Sequence, residues 1–263
     1  FQTANAGLQD GVVLKLNSTL TNLLFSTYLG GTGDDAAYVL SLASSGNIFV
    51  AGGTASSDFP GNKAGTIGAF LQGPIDGFVA EITNNGASLV RSTYIGTGGI
   101  DQVYGIQFDN KGFPYITGQT TGSWPIRNAT YSVATGKQFI AKLQPDLSSY
   151  VYSTAFGTGR SEPDISPTAF LVDRCENVYV SGWGGFFFNL NNYGSSGTLG
   201  LPTTSDAFQS NTDGKDFYFF VLQKNATAQL FGSFFGERNT PGGGCDHVDG
   251  GTSRFDANGV TYQ

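Results

Sequence analysis

Several residue types are scarce in this chain of 263 residues, and each scarcity argues against a class of function. There is no Met, a single His and two Cys, so no group of residues has the four-ligand spacing of a structural zinc site. Thirteen Lys and Arg stand against 20 Asp and Glu, giving a net charge of −7, whereas nucleic-acid binding needs clustered basic residues. No apolar run approaches the roughly 18 residues of a membrane helix.

Catalytic motifs are missing as well. The sequence has no Gly-Xaa-Ser-Xaa-Gly elbow, phosphate-binding loop or His-Glu-Xaa-Xaa-His pair. The single His lies in Cys245-Asp-His-Val-Asp249, which we interpret as a structural loop. We therefore predict no enzymatic activity and no required cofactor, and the alternative that stays open is carboxylate-based cleavage of a polysaccharide.

What the chain does contain is four imperfect copies of one unit. A glycine closes the second segment of each copy, and these glycines lie 66, 61 and 79 residues apart. A fixed period of this size is typical of solenoids, propellers and arrays. The closing segments are Phe25–Gly30, Arg91–Gly96, Tyr152–Gly157 and Phe231–Gly236.

Each copy reads as strand throughout. Its short segments are rich in Val, Ile, Phe, Tyr and Thr, and Gly, Asn, Asp and Ser bound them. Four strands per unit is the blade of a β-propeller. We predict an all-β chain with a single β-propeller region of four-stranded antiparallel blades over residues 1–263, and we place a parallel β-helix second. The repeats fall at about 1–69, 70–130, 131–207 and 208–263.

Particular strings make the signal more specific. Asp76–Ile82, Ser92–Gly96 and Gly46–Thr54 resemble the SBBP β-propeller repeat, and this resemblance covers nearly the whole chain. Strings in the third and fourth copies resemble a subgroup from Bacteroidota. The resemblance implies a large secreted or cell-surface protein, exported by type IX secretion and often carrying a gliding-motility-associated C-terminal domain. Those later strings are Asp164–Phe170, Val180–Gly185 and His247–Asp256.

Similarity to related propellers also suggests the order of strands in a blade. The strand before the Gly-Asn turn is then innermost, and the chain holds three complete blades and two half-blades. The half-blades can meet in a closed four-bladed ring, but we favour a fragment of a larger propeller, because Phe1-Gln2 matches the interior Phe208-Gln209. From inner to outer, the order is Ala36–Ala43, Gly46–Thr54, Asp76–Ile82 and Leu89–Ile95.

Loops between the second and third strands are our candidate binding surface. They span 55–74, 121–136 and 185–215, and their lengths vary while the strands keep theirs; loops on a rigid scaffold often carry function. The longest mixes aromatic and amide side chains suited to a sugar or a peptide, although it can equally be an insert that packs over the rim. The predicted ligand-binding residues are Phe186, Phe187, Phe188, Asn191, Asn192 and Tyr193.

Aspartates before the innermost strands are our candidate metal ligands. They recur at equivalent places and would converge near the propeller axis, where an oxygen-rich ring suits calcium. The alternative is turn chemistry, because Asp readily caps tight loops. The residues are Asp34, Asp35, Asp101, Asp164, Asp246 and Asp249.

The two cysteines are predicted to lie on opposite faces of the propeller. Cys175 follows an innermost strand and Cys245 precedes the next, so an inner strand of about 20 Å separates them, beyond the reach of a disulfide. We expect Cys245 to pair with a cysteine beyond Gln263, or to remain a free structural thiol, and the partner of Cys175 stays open.

The sequence as a whole predicts a non-enzymatic propeller module of a secreted or cell-surface bacterial protein. It would act as a spacer or as a platform for a protein or glycan, and would meet the secretion machinery during export. The alternatives are a propeller enzyme acting on polysaccharide and passive cargo of a secretion machine. No nucleic-acid partner and no transmembrane segment are expected.

Overall fold

Short strands make up nearly all the regular structure. The structure is a computed structural model that describes residues 1–184, 197–237, 246, 254–256 and 260–262. One 3-10 turn, Lys224–Ala226, accompanies the strands, and no helix in these ranges is long and apolar enough to cross a membrane. The strands are β1 (Gly11–Leu16), β2 (Leu23–Leu29), β3 (Asp35–Leu42), β4 (Ile48–Thr54), β5 (Asp76–Ile82), β6 (Leu89–Ile95), β7 (Asp101–Phe108), β8 (Pro114–Thr120), β9 (Gln138–Leu143), β10 (Tyr150–Phe156), β11 (Ser166–Val172), β12 (Val178–Trp183), β13 (Phe217–Leu222), β14 (Gln229–Phe235), β15 (Arg254–Phe255) and β16 (Thr261–Tyr262).

Within each sheet, strands that are consecutive in the chain pair antiparallel. Strands β3 to β6 form sheet 1, β7 to β10 form sheet 2 and β11 to β14 form sheet 3, each in chain order across the sheet. Strands β1 and β2 form a first half-sheet, and β15 and β16 form a last half-sheet. The all-β prediction is confirmed, and the sheets have the four-stranded arrangement of blades. In the described part of the chain the two half-sheets are separate.

The first strand of each complete sheet carries a bulge at the same place. Pairing with the second strand shifts between Ala37 and Val39 in sheet 1 and between Val103 and Gly105 in sheet 2. Sheet 3 repeats the shift after Pro167. A bulge adds one residue to a strand and bends it, so each copy of the unit curves at an equivalent point.

These bulges explain a glycine that recurs in the second strand. A Cβ at Gly52 would lie 1.8 Å from the carbonyl oxygen of Ala36, and one at Gly118 would lie 1.9 Å from that of Gln102. At Gly182 the distance would be 2.5 Å from the carbonyl oxygen of Ser166. The bulged strand comes so close that only glycine fits opposite it.

The core lies between successive sheets, and adjacent residues of one strand serve different neighbours. Val50 of β4 belongs to a cluster with Val13 of the first half-sheet. Phe49, the preceding residue, belongs to a cluster with Ile116 and Phe139 of sheet 2. All seven residues of β4 are buried, as expected for a strand with apolar neighbours on both faces. Sheet 1 is therefore covered on both sides.

Replacing Gly118 with Ala should destabilise the fold, because the clashing atom is a backbone oxygen that cannot rotate away. We expect a loss of about 1–3 kcal/mol in the free energy of unfolding, measured by urea denaturation. The control is Gly98→Ala, where a Cβ meets nothing within 4 Å and stability should stay the same or rise slightly. Equal effects of the two substitutions would contradict the bulge explanation.

Candidate functional site

The first strands of the three complete sheets together line a cavity of about 970 Å³. Side chains of β3, β7 and β11 form most of its wall, and Phe255 of the last half-sheet contributes an aromatic ring. Concave surfaces with mixed apolar and polar linings are the usual places for ligands. The lining residues include Tyr38, Leu40, Leu42, Tyr104, Phe108 and Phe170.

Two tyrosines at the bulges form an aromatic surface on this wall. The rings of Tyr38 and Tyr104 stack with centroids 5.3 Å apart and planes 21° from parallel. The side-chain amide of Gln102 donates to the Tyr38 hydroxyl at 2.8 Å and accepts from that of Tyr104. These two hydrogen bonds fix the position of the pair. Tyr38 is 42% exposed, so a ligand can reach its ring.

Glutamine side chains also fix sheet 2 to sheet 3 beside the cavity. Gln107 donates its amide to the Phe170 carbonyl at 2.8 Å and accepts from the Val172 N–H at 3.2 Å. Gln119 donates to the Ile165 carbonyl at 2.6 Å. These bonds join side chain to backbone across neighbouring sheets, so they connect the parts of the cavity wall that sheets 2 and 3 contribute.

The loops that the sequence marked as a binding surface run along the outermost strands. Tyr94 in β6 donates its N–H to the Gly68 carbonyl at 2.9 Å, and Phe234 in β14 donates to that of Gln209 at 2.9 Å. Arg127 and Ser153 exchange both backbone bonds at 2.8 Å. The loops thus pair with strand edges that would otherwise be open.

Buried aromatic residues hold two of these loops in place. Phe59 packs on Phe78 with ring centroids 4.4 Å apart, and Trp124 stacks on Phe139 at 3.6 Å. The Trp124 indole also donates to the Ser153 hydroxyl at 2.8 Å. Phe59 and Trp124 thus pack inward, whereas Phe70 and Phe208 in the described loops are 79% and 77% exposed. The predicted ligand-binding residues Phe186, Phe187, Phe188, Asn191, Asn192 and Tyr193 lie outside the described residues, and their role stays a prediction.

Four of the predicted metal-ligating aspartates, which begin or precede the first strand of a sheet, accept hydrogen bonds from the preceding segment. Asp35 accepts from the Gly31 N–H at 2.8 Å, Asp101 from that of Thr97 at 2.6 Å, and Asp164 from that of Thr158 at 2.8 Å. Asp246 accepts from Glu237 at 3.0 Å. This is turn chemistry, the alternative to a calcium ring.

The remaining ring positions do not join them in the described part of the chain. Asp34 is exposed, and Asp249 lies outside the described residues. No group of three or more His, Cys, Asp or Glu is placed to hold a metal there. The single calcium ring stays a prediction.

Burial shapes the acidity of these carboxyl groups. It raises the pKa of Asp101 to about 6 and raises those of Asp164 and Asp216 above their ordinary value. The pKa of Asp76, which begins the third strand of sheet 1, is raised for the same reason. An ionised carboxylate at the sheet junctions is therefore unfavourable unless an opposite charge or hydrogen-bond donors compensate for its burial.

Of the two cysteines, Cys175 lies in the described part of the chain. Cys175 is exposed and carries a free thiol, and its N–H bonds to the Asp173 carboxylate at 2.8 Å. Cys245 lies outside the described residues, so its predicted pairing beyond Gln263 stays a prediction.

A buried cluster of charges between sheets 2 and 3 is a feature that the sequence analysis missed. The Lys142 ammonium lies 2.8 Å from an Asp109 oxygen and 2.9 Å from a Glu176 oxygen. Lys111 and Lys224 reach the other Glu176 oxygen at 3.0 and 2.8 Å. These bonds hold the pKa of Glu176 well below its ordinary value.

Glu176 reaches this cluster from a backbone position that the other copies give to glycine. It has φ of 66°, whereas Gly46 and Gly112 at the equivalent turns have φ of 83° and 84°. For a residue with a Cβ, this conformation costs about 1–2 kcal/mol of free energy. Glu176 stands where the aligned turns have Gly, and this difference is the sequence signal that marks the site. It does not identify the lysines.

Comparison with known proteins adds no family to this picture. No protein-family model matches the chain, and comparison with curated proteins finds no significant match.

The Glu176 cluster should make stability depend on pH. A carboxylate whose pKa is lowered on folding stabilises the protein above its ordinary pKa of 4.5, and that contribution is lost as pH falls below this value. Glu176→Gln should cost about 1–3 kcal/mol near neutral pH, because Lys142 loses one of its two carboxylates and the exposed Lys111 and Lys224 lose a partner that solvent partly screens. The difference from the native chain should shrink below pH of about 4.5.

Denaturant unfolding of both proteins across pH 3 to 8 measures this effect. Glu162→Gln, at an exposed position, is the matched control and should change stability by less than about 0.5 kcal/mol at every pH. A Glu176→Gln protein with the pH dependence of the native chain would show that the cluster does not stabilise the fold.

Proposed function

We propose that this chain is a non-enzymatic β-propeller module that binds an extended partner at the cavity lined by its innermost strands. The observation that carries the proposal is the common cavity of β3, β7 and β11, with stacked Tyr38 and Tyr104 open on its wall. Placement in a secreted or cell-surface bacterial protein rests on the resemblance of the repeat.

The sheets support a propeller because they stack in series. Apolar faces remain at both ends of the stack: Val12 and Leu14 are exposed on the first half-sheet, and Leu230 and Phe235 on sheet 3. Exposed apolar patches indicate a missing partner. We infer that further blade strands cover both faces, either from the half-sheets in a closed ring or from neighbouring blades of a larger propeller.

A glycan is the partner that fits the cavity wall best. Aromatic ring faces and aliphatic side chains suit the apolar faces of sugar rings, and the tyrosine hydroxyls supply polar contacts. Among the described residues that line the wall there is no Asp, Glu, Lys or Arg to bind an ionic ligand. A protein segment is the alternative occupant.

A glycan array and a panel of soluble polysaccharides test this function. Binding without release of reducing ends is the expected result. Tyr38→Ala should weaken that binding about tenfold, the value of one lost aromatic contact. Tyr28→Ala is the matched control, because Tyr28 is 37% exposed but lies on β2, away from the cavity.

Two results would overturn the proposal. Release of reducing ends would make the chain an enzyme, and binding unaffected by Tyr38→Ala would place the glycan elsewhere. No binding to any glycan in the panel would remove the glycan assignment, leaving a spacer or a protein-binding module.

A further inference from the structure

Two side chains from neighbouring sheets meet at the glycine that ends each outermost strand. One begins or just precedes the strand next to the last in the preceding sheet, and the other begins or precedes the first strand of the next. We call each set a junction pair. The pairs are Asp10 and Asp35 at Gly30, Gln138 and Asp164 at Gly157, and Asp216 and Asp246 at Gly236; at the remaining junction Asp76 lies against Gly96 and Asp101 binds the N–H of the following Thr97.

The paired groups come close because the glycine has no side chain. A Cβ on Gly236 would lie 2.2 Å from an Asp216 oxygen and 2.3 Å from an Asp246 oxygen. A Cβ on Gly30 would lie 2.5 Å from Asp10 and 2.7 Å from Asp35. The two carboxylates of a pair therefore share one small space.

The pairs made of two aspartates contain buried oxygens without a hydrogen-bond partner in the described part of the chain. They are Oδ1 of Asp10, Asp35, Asp101 and Asp216. Asp35, Asp101 and Asp216 are at most 1% exposed. Leaving a buried carboxylate oxygen unpartnered beside a second carboxylate is strongly unfavourable.

The third junction shows how the same geometry is satisfied without two charges. With its side-chain amide turned so that every polar atom has a partner, Gln138 donates to Asp164 Oδ2 at 3.2 Å and accepts from the Asp164 N–H at 2.6 Å. Arg160 adds an ion pair to Asp164 at 3.7 Å. Asp164 has no unpartnered oxygen, so among the junction pairs only those of two aspartates contain a carboxylate oxygen without a partner.

We propose that each of the three Asp–Asp junction pairs binds one hard divalent cation, of which calcium is the best match. Carboxylate oxygens are the ligands that calcium takes at about 2.3–2.6 Å. Hydrogen-bond donors already orient these carboxyl groups: Asp35 accepts from Ser56 as well as from Gly31, and Asp76 accepts two backbone N–H groups. A cation would neutralise both carboxylates of a pair at once.

The affinity should be low, because two carboxylates leave most ligand positions to water and backbone oxygens. We expect dissociation constants of about 0.1–1 mM, the range of extracellular modules. Each site joins two sheets, so calcium should stabilise the stack by binding the folded state. The melting temperature should rise by several degrees between chelator and about 10 mM calcium.

Three variants of the full chain test the sites by stoichiometry, measured by equilibrium dialysis against calcium. The native chain should bind three ions and Asp76→Asn two. Gln138→Asp should create a fourth site: this variant should be less stable than the native chain in chelator and should recover in calcium. Asp206→Asn, at an exposed position, removes one charge elsewhere and should still bind three ions.

Other results would overturn the proposal. A melting temperature unchanged by chelator and calcium, together with a more stable Asp76→Asn variant, would mean that the pairs share a proton instead. Calcium binding unaltered by both Asp76→Asn and Gln138→Asp would place the ions away from the junctions. Either outcome leaves the cavity proposal untouched, because the two sites share no residue.

Discussion

Burial of both faces of a four-stranded sheet is the constraint on which the rest of this structure depends. A sheet whose strands are apolar at nearly every position cannot expose either face, so it must lie between two others. Val50 and Phe49, adjacent in β4, satisfy this by joining different clusters. The sheets therefore stack in series. The apolar faces that remain at Val12 and Phe235 need to be covered for the same reason.

Stacking also dictates the polar chemistry at the sheet junctions. The turn that leaves one sheet for the next is enclosed by both, and its N–H groups need partners that water cannot supply. Asp35 and Asp101, each the first residue of the following sheet, accept those N–H groups. The carboxylate therefore fixes the position of the next strand relative to the turn. Apolar burial and junction bonds thus favour the same arrangement of the two sheets.

Sequence reasoning recovered the parts of the fold that depend on local pattern. Strand segments follow from short stretches, and their order within a sheet, which similarity to related propellers suggested, is the order found in the three complete sheets. Contacts between sheets could not be predicted. Several loops are similar, and the sequence does not indicate which strand each of them contacts. The loops around Phe59 and Trp124 were proposed as a binding surface for their variable length, and the packing of these two residues against the strands was not predicted. The cavity at Tyr38 depends on a bulge that a strand pattern does not reveal.

The boundary between sheets 2 and 3 is where the copies differ most in chemistry, and the differences lie on one strand. Gln138 and Lys142 both belong to β9, and they face Asp164 and Glu176 of the next sheet. Similar blades in one chain can pair out of order, which is a known hazard of repeat proteins. Lys142 keeps Asp109 of its own sheet as a partner, but Glu176 is 8% exposed and would lose Lys142 and Lys111 if the sheets paired out of order, which penalises wrong neighbours. The strained backbone of Glu176 is consistent with this: its cost is offset only where three lysines converge, so the residue favours one order of sheets over the others.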